Sequence, residues 1–211
     1  MLTSDQLKSL FQTVFQFRPA DKTMTFIVDV PNESVPDNDQ WLSRRTLAHD
    51  WWSKAVEVKA DLGLETVQLF YYNNVGSNNN DLPERFFAVE DVSGNLTGES
   101  IAIVGKPVDR DEILKQTDII IAPTEFSATA PCKMLAKTHD FRGTTMPGFI
   151  QEMLPALNLD YQNVHERIMN IKTRLDDAIK EEITFSARGK EYKFTADLRH
   201  RTATASSGMF H

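Results

Sequence analysis

Two short apolar runs joined by one long amphipathic stretch constrain this chain more than anything else in it. TMTFIVDVP (23–31) and ETVQLFYY (65–72) are rich in β-branched and aromatic residues and are too short for buried helices. Between them, residues 40–62 place Leu47, Trp51, Ala55 and Val58 on one face at helical spacing. Pro36, Asp37, Asn38 and Asp39 break the chain before this helix, and Gly63 is placed to end it. A strand, a helix and a second strand of these lengths form a parallel pair with a right-handed crossover. The fold class expected is therefore α/β: an open, mostly parallel sheet with flanking helices.

The rest of the chain extends the pattern. Leu7, Leu10, Phe11, Val14 and Phe15 predict an amphipathic helix over 4–16. TDIIIAP (117–123) reads as a fully buried strand, and SIAIVG (100–105) and RGTTMP (142–147) as shorter ones. LPERFFAVED (82–91) is ambiguous between element types. Asp109 is placed to cap a short helix, and Ser127 or Thr129 a further one with Pro131 in its first turn. FIQEMLPAL reads as a helix interrupted at Pro155. Asp160 precedes the strongest helical pattern, in which Tyr161, Val164, Ile168, Ile171, Leu175 and Ile179 share one face and His165 falls on the polar side.

The period then changes from helical to two. Ile183, Phe185 and Ala187 alternate with polar residues, and Tyr192, Phe194, Ala196 and Leu198 do so after Arg188-Gly189. That is an antiparallel β-hairpin, which begins something other than another β–α step. The organisation expected is an α/β domain over 1–182 and the hairpin start of a second domain over 183–211. The last stretch, LRHRTATASSGMFH, is small and polar, and nothing in its pattern docks it on a helix or strand.

Charge and composition exclude some functions. Lys and Arg number 23 against 30 Asp and Glu, a net charge of −7, so no basic excess is available to neutralise phosphates and a nucleic-acid partner is not expected. A single cysteine, Cys132, cannot form an internal disulfide and suits a reducing compartment. The amino terminus lacks the pattern of a secretory leader, and no apolar run approaches the roughly 18 residues of a membrane helix. A cytoplasmic location is the expectation, and the glycosylation patterns at Asn32 and Asn95 then read as coincidental.

Few motifs carry chemistry. No Gly-x-Gly-x-x-Gly and no phosphate-binding Gly-x4-Gly-Lys-Ser/Thr is present, and Gly143 and Gly148 read as turn residues. No Gly-x-Ser-x-Gly elbow is present. Cys132 precedes His139 by two helical turns, which allows a Cys–His nucleophile but suits a small buried thiol better. His49, His139, His165, His200 and His211 show no metal-ligand spacing. Topology points elsewhere. Open α/β sheets take ligands at the carboxyl ends of their strands. The segment after 117–122, with Thr124 and Glu125, offers a hydroxyl and a carboxylate there. With Arg142 these are the candidate substrate-binding residues, and the polar loop NNVGSNNND (73–81) ends another strand.

Two stretches carry a resemblance. TDIIIAPTEFSATAPCKMLAKTHDFRGTTMPGFIQEML, continued by LDYQNVHERIMNIKTRLDDA, and ITFSARGKEYKFTADLRHRTATASSGMF together resemble the amino-terminal half of the aminopeptidase T-like (thermophilic leucyl aminopeptidase) metallopeptidases. Arg142, Gly143, Met146, Pro147 and Gly148 stand where that family has Arg-Gly and Met-Pro-Gly, and a long helix and a Gly-centred hairpin follow. The likeness spans residues 110–210, with 20–75 alike in architecture only. It implies a peptide substrate, a homodimer, and a two-metal site of Zn, Co or Mn, whose Glu, His and Asp ligands are expected after His211 and match no residue here. It also implies that this part alone is inactive. A related branch opens dihydroxypyridine rings with iron, and a stand-alone small-molecule-binding or interaction module is the reading from a different class.

Overall fold

The parallel pair forms as the sequence predicts. In the computed structural model, which describes residues 1–90 and 96–208, β1 (Thr23–Val30) and β2 (Thr66–Asn73) pair in parallel from Thr23↔Thr66 to Val30↔Asn73. The helix between them, α2 (Asp39–Val58), starts where the Asn38 side chain accepts the Trp41 N–H at 2.9 Å. Gly63 at φ +77° takes the left-handed conformation that turns the chain towards β2. Met24 to Val30 are all buried. Both faces of the sheet are therefore covered, which is why the run carries apolar residues on both faces rather than on alternate positions only.

β5 (Ile119–Ala122) pairs with β1 on its other side, and β6 (Arg142–Thr145) with β5, all in parallel. The ambiguous segment supplies β3 (Arg85–Ala88), which with β4 (Lys106–Asp109) adds an antiparallel edge. The order is β4-β3-β2-β1-β5-β6. The chain leaves β1 in one direction and returns on its other side, so the carboxyl ends of β1 and β5 form the switch point of an α/β sheet.

One face is packed by α1 (Ser4–Phe15) and α2, where Leu7, Phe11, Phe15 and Trp51 meet Met24, Phe26 and Val28. The other carries Leu114 from α4 (Arg110–Leu114) and Cys132 from α5 (Thr129–His139) against Ile27, Phe70 and Ile120. Asp109 caps α4 as expected, accepting the Glu112 N–H at 3.0 Å. The helix α5 is not capped by Ser127 or Thr129 as expected: Ala128 stands at its N-cap with no side-chain cap, and Ser127 Oγ only accepts the Thr129 N–H at 3.3 Å. Residues 151–157 form a 3-10 helix containing Pro155.

Two of the local readings are corrected. SIAIVG is not a strand: residues 98–104 form helix α3 (Gly98–Val104). Thr97 and Ser100 cap each other's backbone N–H groups at 3.2 and 2.8 Å, and this local signal outweighs the β-branched run. Gly143 is not a turn residue but lies inside β6, where a Cβ would stand 2.3 Å from the Ile120 carbonyl oxygen. Gly148, at φ +68°, is in a turn. The sequon at Asn32 lies in a tight turn closed on Val35, and the one at Asn95 lies outside the described residues.

The described chain divides into two compact units, 1–158 and 159–208. In the second, Asp160 caps α6 (Tyr161–Asp176) by accepting the Asn163 N–H at 3.0 Å. The helix stops three residues short of Ile179. β7 (Lys180–Ala187) and β8 (Lys190–Asp197) form the hairpin in a single register, Lys180↔Asp197 to Ala187↔Lys190. Arg188 and Gly189, at φ 51° and 73°, make the two-residue turn with both φ positive. The polar stretch after Leu198 is docked, contrary to its pattern. Ala203 N–H donates to Asp176 at 2.7 Å, and Ser207 Oγ lies 3.0 Å from His165 Nδ1, so His165 is not simply solvated. Among the described residues no helix is long and apolar enough to cross a membrane.

Candidate functional site

The switch point is organised by a residue that motif reasoning passed over. Asp29 is the last but one residue of β1 and is fully buried. Its Oδ1 accepts the Glu125 N–H at 2.8 Å and the Trp41 indole N–H at 3.1 Å, and its Oδ2 accepts the Phe126 N–H at 3.0 Å. One carboxylate thus ties the end of β1, the first turn of α2 and the loop after β5. Burial pushes the Asp29 carboxyl up to about 6, against the donors and the Arg44 guanidinium, which favour its ionised form.

The loop it holds carries two of the predicted residues. Glu125 is half-buried and pairs with Arg44, which is only 2% exposed and also donates to the Phe149 carbonyl at 2.9 Å. Phe126 stands edge-on to Trp41, with ring centroids 5.9 Å apart. Thr124 is fully buried, its hydroxyl donates to the Phe126 carbonyl at 2.7 Å, and its own carbonyl accepts the Gly148 N–H at 3.0 Å. Thr124 therefore shapes the loop, and Glu125 is the group with a side chain partly open to solvent.

Arg142 is not with them. It starts β6 level with Ile119, at the amino end of the sheet, and pairs with the buried Asp21 and the Phe15 carbonyl. Thr124 and Glu125 follow β5 at its carboxyl end. In a parallel sheet those are opposite edges, a strand length apart.

The loop after β2 closes over the neighbouring end of α5. Asn79 Oδ1 accepts the Ala130 N–H at 3.0 Å and lies 3.1 Å from Ser127 Oγ, while Asn78 Oδ1 accepts the Ser127 N–H at 2.8 Å. The Thr129 and Thr145 hydroxyls are bonded at 2.7 Å. A polar rim of amides and hydroxyls thus borders the Asp29–Glu125–Arg44 cluster.

Cys132 and His139 do not form a nucleophile. Burial pushes the Cys132 thiol up to about 12, and the His139 ring lies 3.6 Å from Asp111. Among the described residues no group of three or more His, Cys, Asp or Glu is placed to hold a metal ion. The Asp29 signal was visible in the sequence as a lone acid near the carboxyl end of an apolar run. Arg44 gave none, because α2 carries charged residues throughout. Comparison with family models, with curated proteins and with solved structures finds no match to this chain.

Proposed function

We propose that this chain is the amino-terminal α/β part of an aminopeptidase T-like metallohydrolase that removes amino-terminal residues from peptides, and that it is inactive alone. The reading rests on the resemblance. The observation that supports it is the order of parts: an open α/β unit with a polar cluster at its switch point, then a capped helix and a Gly-turn hairpin. In this reading the loop 123–127 walls one side of a substrate cleft, and Glu125 faces the peptide's free amine. Arg44 orients that carboxylate, and Asp29 holds the loop. The described residues do not fit a two-metal centre, so they bind and position substrate, and no metal step is assigned to them. A cytoplasmic homodimer belongs to the same reading.

The test is an assay of the longest product of the gene beside residues 1–211. Divalent-metal-dependent release of leucine from Leu-Gly by the former, none by the latter, and a raised KM in Glu125→Gln are expected. Equal activity of both, or activity indifferent to chelation, contradicts the reading. A second reading, a stand-alone small-molecule-binding module, is favoured by one feature: the buried Asp29 carboxyl, pushed up to about 6 by burial at the switch point of the sheet. It predicts calorimetrically detectable binding of a small amine to residues 1–211 that Glu125→Gln abolishes.

A further inference from the structure

We propose that Glu125 and Phe126 form a proton-operated latch at the switch point: one proton taken up by the Asp29 carboxylate detaches the pair from β1. This is regulation of the site proposed above and rests on that reading for what the latch serves. The latch itself belongs to residues 1–158 alone.

The segment between β5 and α5 is tied at three places, and only the middle one depends on Asp29. On one flank the Thr124 carbonyl accepts the Gly148 N–H at 3.0 Å. On the other the Ser127 N–H donates to Asn78 Oδ1 at 2.8 Å. Between these anchors the Glu125 and Phe126 N–H groups donate to Asp29 at 2.8 and 3.0 Å, and to no other described residue. Two fixed flanks around a middle held by one side chain make a hinged segment two residues long.

Asp29 acts there as an acceptor only. Its Oδ1 takes the Glu125 and Trp41 N–H groups and its Oδ2 the Phe126 N–H, so a donor stands at each oxygen. A protonated carboxyl must carry an O–H on one of these oxygens, where it meets an N–H rather than an acceptor. On Oδ2 it costs the Phe126 bond, and on Oδ1 the Glu125 bond. The bond left to the other oxygen then has a neutral acceptor, which makes it about half as strong. Trp41 stays in place, because its indole N–H also reaches the Asp29 carbonyl at 3.1 Å. Glu125 keeps only its side-chain pair with Arg44.

The charges around Asp29 leave it as the group that responds. From α2 it faces Arg44, with Arg45 across the Trp41 ring at 5.9 Å, and an arginine keeps its charge in proteins. From β2 it faces Tyr72, whose ionisation burial and the Asp29 charge both push well up. Beyond Tyr72 is the Cys132 thiol of α5, raised to about 12 by burial. β5 brings only apolar residues, and the loop brings the Glu125 carboxylate. A proton on Asp29 turns a cluster with one net negative charge into a neutral Arg44–Glu125 pair. Burial puts that uptake at about 6, so the latch is closed above this pH and open below it. Proton uptake also removes the cost of burying the Asp29 charge, so the fold as a whole is not weakened as the latch opens.

Nuclear magnetic resonance of residues 1–211 between about pH 8 and about pH 5 tests the latch. The Asp29 side-chain carboxyl carbon and the Glu125 and Phe126 amides are expected to follow one transition near 6. Exchange protection of those two amides should fall roughly tenfold across it, while the Gly148 and Ser127 amides stay protected. Asp29→Asn cannot titrate and sets an amide N–H against the loop donors, so it should leave both amides poorly protected over the whole range. Glu125→Gln should keep the transition, since the proton goes to Asp29. Amides that stay level while Asp29 titrates overturn the proposal. So does an Asp29 that remains ionised throughout, or a transition lost in Glu125→Gln. The wild-type carboxyl signal decides the matter even where Asp29→Asn does not fold. None of these measurements involves a substrate, so the functional reading fails separately, by absent leucine release from the longest gene product.

Discussion

Asp29 is a buried acid surrounded by donors, and two opposing effects act on it. Its hydrogen bonds to Glu125, Phe126 and Trp41 hold the switch point together, while burial disfavours its charge. Asp29→Ala would leave the Glu125 and Phe126 N–H groups without an acceptor, while the Trp41 indole keeps the Asp29 backbone carbonyl at 3.1 Å. The expected loss is about 3–4 kcal/mol in urea denaturation, read through the tryptophans. Because its carboxyl rises from 3.8 to about 6 on folding, the native state binds more protons than the unfolded one. Its stability contribution is therefore full below about 3.8 and is lost as pH rises towards 6, by about 3 kcal/mol in all. Asp29→Asn should flatten the stability profile between those values whatever its absolute stability. A wild-type profile that rises instead would contradict the burial seen here. Cys132 gives a second residue-level expectation. With its thiol raised to about 12, it should react with maleimide at pH 7 only after unfolding, and rapid native-state labelling would refute its packing.

At the scale of elements, the sequence was legible wherever periodicity was long. β1, α2, β2, β5, α6 and the hairpin were all visible, because each buries or exposes residues in a regular way over four or more positions. The failures were short. SIAIVG has the composition of a strand, but Thr97 and Ser100 nucleate a helix that leaves Ile103 83% exposed. Arg142 was placed by residue type alone, and its position at the start of β6 puts it at the wrong edge of the sheet. The switch point could be located from topology, yet Asp29 and Arg44 could not be joined to Glu125, because their meeting depends on how three segments converge. Gly143 gives a prediction at this scale. Gly143→Ala drives a methyl against the Ile120 carbonyl across the β5–β6 ladder, and should cost roughly 2–3 kcal/mol in thermal or urea unfolding. A neutral substitution would mean that β6 is not held against β5 as described.

For the molecule as a whole, two units with different periodicities follow one another. All three tryptophans, Trp41, Trp51 and Trp52, lie in residues 1–158, so indole fluorescence reports that unit only. Residues 1–158 expressed alone should unfold cooperatively with the same fluorescence transition as the full chain. A lost or broadened transition would show that the second unit is needed for the first to fold. If the proposed reading holds, the first unit carries a substrate cleft and the metal-bearing chemistry lies outside these residues. The most direct test is to read the gene past the codon for His211. The account predicts a frame that continues for a further domain with spaced Glu, His and Asp residues. A stop codon directly after His211 would contradict it.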